Sequence, residues 1–183
     1  LDVRVALVRV PSDLSGPDGL RVDALVLPGG ESSTISRLLR LFGLADPLRD
    51  AIQDGLPTLG TCAGLVLLAN RVLDPAPGQQ SLRVLDVTVR RNAFGPQVDS
   101  AEVDLVTTDG AAKVAFIRAP VVVGTGPGQG AITGISFHPE LTGETLFHRR
   151  LVRHGGAMTN DLSTDPALVR SPTRAIAGQV SRL

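Results

Sequence analysis

The stretch Leu59-Gly60-Thr61-Cys62-Ala63-Gly64-Leu65 decides the fold, and it contains the only cysteine of the chain. The apolar residues that lead into it favour a buried strand, and the apolar run 65–69 favours a buried helix. A reactive residue between two small residues, at a strand-to-helix turn, is typical of a nucleophile elbow. The two glycines would let strand and helix approach closely, and the helix N-terminus would favour the thiolate of Cys62.

Cys62 also has a simpler interpretation. A lone cysteine is more often a small buried hydrophobe than a catalyst. An inert core cysteine needs no glycine on both sides, however, so the flanking pattern favours a nucleophile. The choice therefore depends on whether the rest of the chain supplies a base and an oxyanion site.

The composition limits the classes of function. The chain has 183 residues, of which 43% are hydrophobic, enough for one domain with a sizeable core. Its 18 basic and 18 acidic residues balance, so neither nucleic acid nor an anionic membrane is an expected partner. A single cysteine excludes an internal disulfide framework and fits the cytoplasm. No apolar run approaches the roughly 20 residues that cross a bilayer, and we expect no metal and no cofactor.

Strands and helices alternate along the first half of the chain. We predict a strand at 3–10, a loop at 11–19 and a second strand at 24–27. Helices should run from Ser32 or Ser33 to Gly43 and from Asp46 to Gly55. Strand followed by helix, repeated, predicts an α/β fold of three layers, with a mostly parallel sheet and helices on both faces.

The second half is predicted to be richer in strands. A helix from about Thr142 to His154 should follow them and stop at Gly155-Gly156. From Met158 onward the chain resembles a poorly packed tail, with a short helix near 175–180. The predicted strands of this half are 82–89, 101–107, 114–117 and 131–137.

A candidate base lies at the end of the last predicted strand. His138 and Glu140 follow that strand, and functional groups in open α/β sheets gather at the C-terminal strand ends. His138 could take the proton of Cys62 and later protonate the leaving group, while Glu140 could fix the imidazole tautomer. Alternatively, His138 merely ends the strand and Glu140 is a solvated charge.

A candidate oxyanion site follows the strand at 24–27. Consecutive glycines in Pro28-Gly29-Gly30-Glu31-Ser32 can present backbone N–H groups outward. The N–H groups of Gly30 and Ala63 could together build an oxyanion hole. The alternatives are a simple strand-to-helix turn or, less well supported, a phosphate loop, since no Gly-Lys-Ser or Gly-Lys-Thr follows.

Taken together, these pieces resemble the class I glutamine amidotransferases, and more narrowly the glutaminase subunits of pyridoxal 5′-phosphate synthase. Each piece is weak alone, but their combination and order are specific. The resemblance covers about residues 1–154. It is carried by Gly-Thr-Cys-Ala-Gly around Cys62, Leu27-Pro28-Gly29-Gly30-Glu31-Ser32, Arg91-Asn92-Ala93-Phe94-Gly95, Phe116-Ile117-Arg118-Ala119-Pro120 and Phe137-His138-Pro139-Glu140-Leu141.

The resemblance implies a flavodoxin-like fold, a Cys62, His138 and Glu140 triad, and hydrolysis of L-glutamine to glutamate and ammonia through a cysteine thioester. The ammonia would pass to the lyase subunit of the synthase, within a large hetero-oligomer. Glutamine carries charges of both signs, so a site for it needs both. The residues implied to bind it are Gly30, Glu31, Ser32, Arg91, Ile117 and Arg118.

The chain also departs from the family pattern. The expected amidotransferase domain is 1–156, without the family's first strand and helix, and 157–183 is an expected tail. Further strand-forming sequence of the family is absent between Gly128 and Ala131, and Pro96 replaces a polar residue. Two other functions therefore remain open: a non-catalytic interaction subunit of the same complex, and an unrelated α/β cysteine hydrolase.

Overall fold

A computed structural model of the chain describes residues 2–93, 101–107, 109–126 and 131–159. Within these ranges ten strands, five α-helices and a 3-10 helix follow one another. In chain order they are α1 (Pro11–Leu14), β1 (Ser15–Gly16), β2 (Gly19–Leu20), β3 (Leu25–Leu27), α2 (Ser32–Leu41), α3 (Ala45–Gln53), β4 (Thr58–Thr61), α4 (Ala63–Leu68), β5 (Ala69–Leu73), β6 (Leu85–Arg90), β7 (Ala101–Thr107), β8 (Gly110–Phe116), β9 (Val121–Thr125), β10 (Ile132–Ile135), the 3-10 helix (Pro139–Thr142) and α5 (Leu146–Thr159).

A parallel sheet of order β10-β4-β3 forms the centre of the protein. All four residues of β4 are buried, as expected for a strand with a neighbour on each side and helices on both faces. Thr61 pairs with Ile135, and Gly60 pairs with Leu27. The C-terminal ends of the three strands therefore meet at one edge of the sheet.

Helices cover both faces of this sheet. On one face α3 and α4 pack in a cluster that includes Ile52, Leu65 and Leu68. On the other face Phe147 of α5 packs in a second cluster with Leu59 of β4. The protein is thus a three-layer α/β structure, and the predicted fold class is confirmed.

The outer strands mix parallel and antiparallel pairing. β5 is parallel to β6, which is antiparallel to β9, while β7 and β8 form an antiparallel pair. β1 and β2 form a small hairpin. Wholly parallel pairing is therefore a property of the central sheet, where the candidate site lies.

The prediction of a strand at 3–10 is wrong. These residues form no regular element, and Val5 and Leu7 are 82% and 67% exposed. A strand needs a neighbour to take its backbone hydrogen bonds, and no described strand pairs with this segment. The predicted loop at 11–19 is likewise partly ordered, since it contains α1 and most of the β1–β2 hairpin.

The last helix differs from its prediction at both ends. It begins at Leu146, after the 3-10 helix, and it continues through Gly155 and Gly156 to Thr159. Gly155 serves packing, because a Cβ atom there would lie 2.8 Å from the carbonyl oxygen of Asp23. The rest of the predicted tail, with its short helix near 175–180, lies outside the described residues. None of the helices in the described ranges is long and apolar enough to cross a membrane.

Candidate active site

Cys62 occupies a sharp turn between β4 and α4. Its N–H donates to the Ile135 carbonyl oxygen at 2.8 Å, which continues the β4–β10 ladder to the end of the strand. Its φ of 49° and ψ of −101° are rare for a residue with a side chain. A Cβ atom at Gly64 would lie 2.0 Å from the Leu27 carbonyl oxygen, so only glycine lets α4 approach β3 this closely. The structure therefore has the predicted elbow.

The thiol of Cys62 is protonated at neutral pH, contrary to the expectation of a thiolate. The residue is 7% exposed, and this burial raises its pKa from 9.0 to about 11. A hydrogen bond from the Ala63 N–H and the charge of Arg118 lower the pKa, and Glu140 raises it, but burial dominates. α4 has only six residues, so it supplies little helix dipole.

His138 and Glu140 are joined by a hydrogen bond at the cavity that Cys62 lines. His138 Nδ1 lies 2.8 Å from Glu140 Oε1. The backbone of His138 is fixed to β8, because its N–H donates to the Ala115 carbonyl oxygen at 2.8 Å. With Nδ1 engaged by the carboxylate, Nε2 of the imidazole remains for proton exchange in the cavity.

The glycine loop after β3 lies against the imidazole. A Cβ atom at Gly29 would come 2.2 Å from His138 Cε1, so the loop backbone and the imidazole are in close contact. Gly30 has a φ of +140°, which side chains rarely permit. The predicted oxyanion residues Gly30 and Ala63 both line the same cavity as Cys62.

Glu31 and Arg91 are 60 positions apart in the sequence and form an ion pair. Arg91 Nη2 donates to Glu31 Oε1 at 2.9 Å, while Glu31 Oε2 caps α2 by accepting from the Thr34 N–H at 2.7 Å. Burial opposes ionisation of Glu31, but the hydrogen bonds from Ser33 and Thr34 outweigh it and lower its pKa to about 2. Glu31 is therefore charged at neutral pH and orients Arg91, whose remaining donors are available to a ligand.

Backbone strain is concentrated around the cavity. Of the five described non-glycine residues with positive φ, three line it: Cys62, Asn92 and Arg118. Such conformations persist only where the surrounding structure imposes them, and they are common at active sites. The carbonyl oxygen of Ile117, next to Arg118, lies 3.9 Å from Cys62 Sγ.

One cavity of about 180 Å³ brings the predicted site residues together. Glu140 is the exception, since it does not line the cavity and instead contacts the His138 imidazole, which does. Val66, Asn92 and Pro120 also line the cavity and were not predicted as site residues. Asn92 and Pro120 lie within motifs already recognised, but Val66 has no signal beyond its place in the first turn of α4. The lining residues with a predicted role are Gly30, Glu31, Ser32, Cys62, Ala63, Arg91, Ile117, Arg118 and His138.

The chain is similar to named bacterial proteins over most of its length. It is 49% identical over 165 residues to the pyridoxal 5′-phosphate synthase subunit PdxT of Clavibacter michiganensis subsp. michiganensis, covering 80% of this chain and 77% of that one. It is 49% identical over 174 residues to the subunit of the same name from Kineococcus radiotolerans, covering 81% and 82%. With that of Parafrankia sp. it shares 52% identity over 149 residues, covering 72% and 73%.

A solved structure supports the same relation. A crystal structure of a glutamine amidotransferase superposes with a TM-score of 0.73 at 39% identity, covering 81% of this chain and 85% of that one. Residues 6–127 match the SNO glutamine amidotransferase family, a range that includes Cys62 and ends before His138. The predicted relationship is confirmed, and the alternative of an unrelated cysteine hydrolase is wrong. From this match and these identities, the chain belongs to the SNO glutamine amidotransferase family.

Proposed function

We propose that this chain is the glutaminase subunit of a pyridoxal 5′-phosphate synthase and that it hydrolyses L-glutamine at Cys62. The observation that carries the proposal is the meeting of Cys62, the His138–Glu140 pair and the glycine loop in one cavity. The curated relatives carry the name of that synthase subunit. Family membership alone does not assign the roles of individual residues, which follow from their chemistry and position.

The reaction begins with proton transfer from the thiol. Because burial keeps Cys62 protonated, His138 Nε2 removes the proton as the sulfur attacks the amide carbon of glutamine. Glu140 stabilises the imidazolium through Nδ1. The oxygen of the tetrahedral intermediate is negative, and the N–H groups of Ala63 and Gly30 are the donors proposed to stabilise it.

The leaving group and the second half-reaction use the same base. His138 Nε2–H donates its proton to the amide nitrogen, the carbon–nitrogen bond breaks, ammonia departs, and a thioester remains on Cys62. Water then attacks the thioester as His138 takes one of its protons. The carbon–sulfur bond breaks, glutamate leaves, and the proton returns to the sulfur, so one glutamine and one water give one glutamate and one ammonia.

Charged residues of the cavity suit the two ends of the amino acid. Arg91, oriented by Glu31, and Arg118 are the cations proposed for the α-carboxylate. Among the described residues that line the cavity, Glu31 is the one acid, and its carboxylate is the group proposed for the α-ammonium. Gly30, Ser32 and Ile117 complete the proposed glutamine site.

Release of ammonia and glutamate in the presence of the synthase lyase subunit tests the proposal. Cys62→Ala should abolish release, and His138→Asn should lower kcat by at least about a hundredfold. His154→Asn is the matched control, because His154 is exposed on α5, does not line the cavity, and engages the Arg150 carbonyl oxygen of its own helix through Nδ1. An unchanged rate in Cys62→Ala would reject the mechanism. Partner binding without turnover, and without labelling of Cys62 by a glutamine-like electrophile, would instead support a non-catalytic subunit.

The partner and the compartment are part of the same proposal. The ammonia would pass to the lyase subunit in a large hetero-oligomer, and the lone cysteine favours the cytoplasm. Mixing the two chains should yield a species larger than either by light scattering. Two separate species at micromolar concentrations would contradict the assembly, and recovery of the protein in another cell fraction would contradict the compartment.

A further inference from the structure

The loop between β5 and β6 is tied to α2 by hydrogen bonds that the proposed mechanism does not use. Gln79 Nε2 lies 3.0 Å from Ser32 Oγ. Ser36 Oγ donates to the Gln80 carbonyl oxygen at 2.7 Å and accepts from the Gln80 N–H at 3.0 Å. Of these contacts, only that of Gln79 reaches a residue that lines the cavity, namely Ser32.

The orientation of the Gln79 amide is fixed by the backbone of its own loop. The Ala76 N–H lies 3.1 Å from Gln79 Oε1, and because an N–H group can only donate, the amide oxygen must face Ala76. The amide nitrogen then faces Ser32. An amide nitrogen donates and does not accept, so Ser32 Oγ is the acceptor of this bond.

This bond leaves the hydroxyl proton of Ser32 without a described acceptor. Ser32 is 5% exposed, and no residue in the described ranges takes its proton. A buried donor without a partner is costly, so the arrangement favours a state in which a ligand supplies the acceptor. Because Ser32 lines the cavity with Cys62 and Arg91, the acceptor would come from a molecule bound there.

We propose that Gln79 is a positioning residue: by donating to Ser32 Oγ, it leaves the Ser32 hydroxyl proton for an oxygen of the bound amino-acid substrate. The inference rests on the proposed function, because it takes glutamine as the occupant of the cavity. Gln79 does not line the cavity, so it acts through Ser32. Part of the Arg91 guanidinium is already engaged by Glu31. The Ser32 hydroxyl would therefore add a neutral hydrogen-bond donor for the substrate.

Gln79→Glu tests the direction of the hydrogen bond between residue 79 and Ser32 while nearly preserving the side-chain volume. A carboxylate only accepts, so the Ser32 hydroxyl would turn toward residue 79 and be lost to the substrate. The other carboxylate oxygen can still accept from Ala76, which preserves the loop. In the complex with the synthase subunit, KM for glutamine should rise about tenfold while kcat stays within about twofold, because a contact of the bound ground state is lost.

Further variants separate hydrogen bonding from charge. Gln80→Glu adds the same charge one residue away, on an exposed side chain, and should leave KM within about twofold of the wild-type value. Ser32→Ala should raise KM by itself, and adding Gln79→Glu to it should produce no further rise. If Gln79→Glu does not fold by thermal melting, Gln79→Met replaces it, with a smaller rise of about threefold that also disappears in Ser32→Ala.

The outcomes distinguish this inference from the proposed function. An unchanged KM in Gln79→Glu, or an equal rise in the Ser32→Ala background, would overturn the role of Gln79 while the wild-type complex remains active. An inactive wild-type complex would contradict the proposed function instead. Calorimetric Kd values for glutamine in the Cys62→Ala background measure the same coupling without turnover, and they should follow the pattern expected for KM.

Discussion

Residues 58–61 and 3–10 have equally strand-like sequences but differ completely in structure. The first segment is β4, buried throughout and paired on both sides. The second forms no regular element, is exposed except at Val8, and pairs with no described strand. An apolar pattern thus becomes a strand only where other strands accept and donate its backbone hydrogen bonds. The chemistry follows the same division, because the proposed nucleophile comes directly after β4.

The largest effect is expected where β4 and α4 approach β3. In Gly64→Ala the new methyl group would overlap the Leu27 carbonyl oxygen, at 2.0 Å, and a backbone atom cannot easily move aside. We expect destabilisation by about 3 kcal/mol or more, or failure to fold, measured by urea unfolding. Gly124→Ala is the control, because a Cβ atom there would lie no closer than 3.7 Å to its nearest neighbour, Thr88 Cβ, which is an ordinary contact. Equal stability of Gly64→Ala and wild type would show that α4 does not approach β3 this closely.

The same substitution in the two segments gives the most direct comparison. Leu59 is 0% exposed and Leu7 is 67% exposed. Leu59→Ala should lower the free energy of unfolding by about 3 kcal/mol, since it removes buried contacts and leaves a cavity. Leu7→Ala should change it by less than about 0.5 kcal/mol. A loss above about 1 kcal/mol in Leu7→Ala would mean that residues 3–10 are paired in solution.

The stability of the protein should also fall at alkaline pH because of Cys62, which directly follows the buried segment. The pKa of its thiol is raised in the folded state to about 11, so folding is favoured while the group stays protonated. This contribution is complete below about pH 9 and is lost as pH rises toward 11, amounting to about 2 kcal/mol. Urea unfolding between pH 8 and 11 should therefore show a loss that is absent in Cys62→Ala. A parallel decline in both proteins would contradict a raised thiol pKa.

Alkylation of Cys62 measures the same property in the native state. The isolated chain should react slowly near pH 7, and its rate should rise with pH toward a midpoint near 11. If the partner activates the site, the midpoint should move to lower pH in the complex. The same profile with and without the partner would contradict activation at the thiol.

The smallest effect is expected in the exposed segment, at low pH. Hydrogen bonds from the N–H groups of Arg9 and Val10 lower the pKa of Asp13 below 3.8. A lowered carboxyl pKa stabilises the fold above the unfolded value, and this contribution is lost as pH falls through the folded value. The protection factors of the Arg9 and Val10 amides, which correct for the intrinsic pH dependence of exchange, should therefore fall below about pH 4, with little change at 58–61. A simultaneous fall of the protection factors in both segments would indicate that they unfold together.

The sequence predicts the fold class and the candidate site residues, but not the strand pairing around them. Cys62, His138 and the glycine loop stand out because their residue types and spacing reflect chemistry, and this information is local. The existence of most helices and of β4 was also predictable from apolar periodicity. β9 was missed because Val121–Thr125 directly follows a recognised motif and shows no alternation of its own.

The remaining features depend on residues that are far apart in the sequence but in contact in the structure. Glu31 and Arg91 are 60 positions apart, and Gln79 and Ser32 are 47 apart, so neither contact is visible in a local pattern. The protonation of Cys62 results from competition between burial and nearby donors. That balance can be evaluated only once the surrounding atoms are placed.

The contact between Gly29 and the His138 ring limits how this enzyme can be engineered. A single methyl group at position 29 would overlap the imidazole, at 2.2 Å from Cε1, and push the base away from the sulfur. Attempts to accommodate a different amide by reshaping the cavity should therefore leave position 29 untouched. They should instead vary Val66 or Pro120, which line the wall without a proposed part in proton transfer.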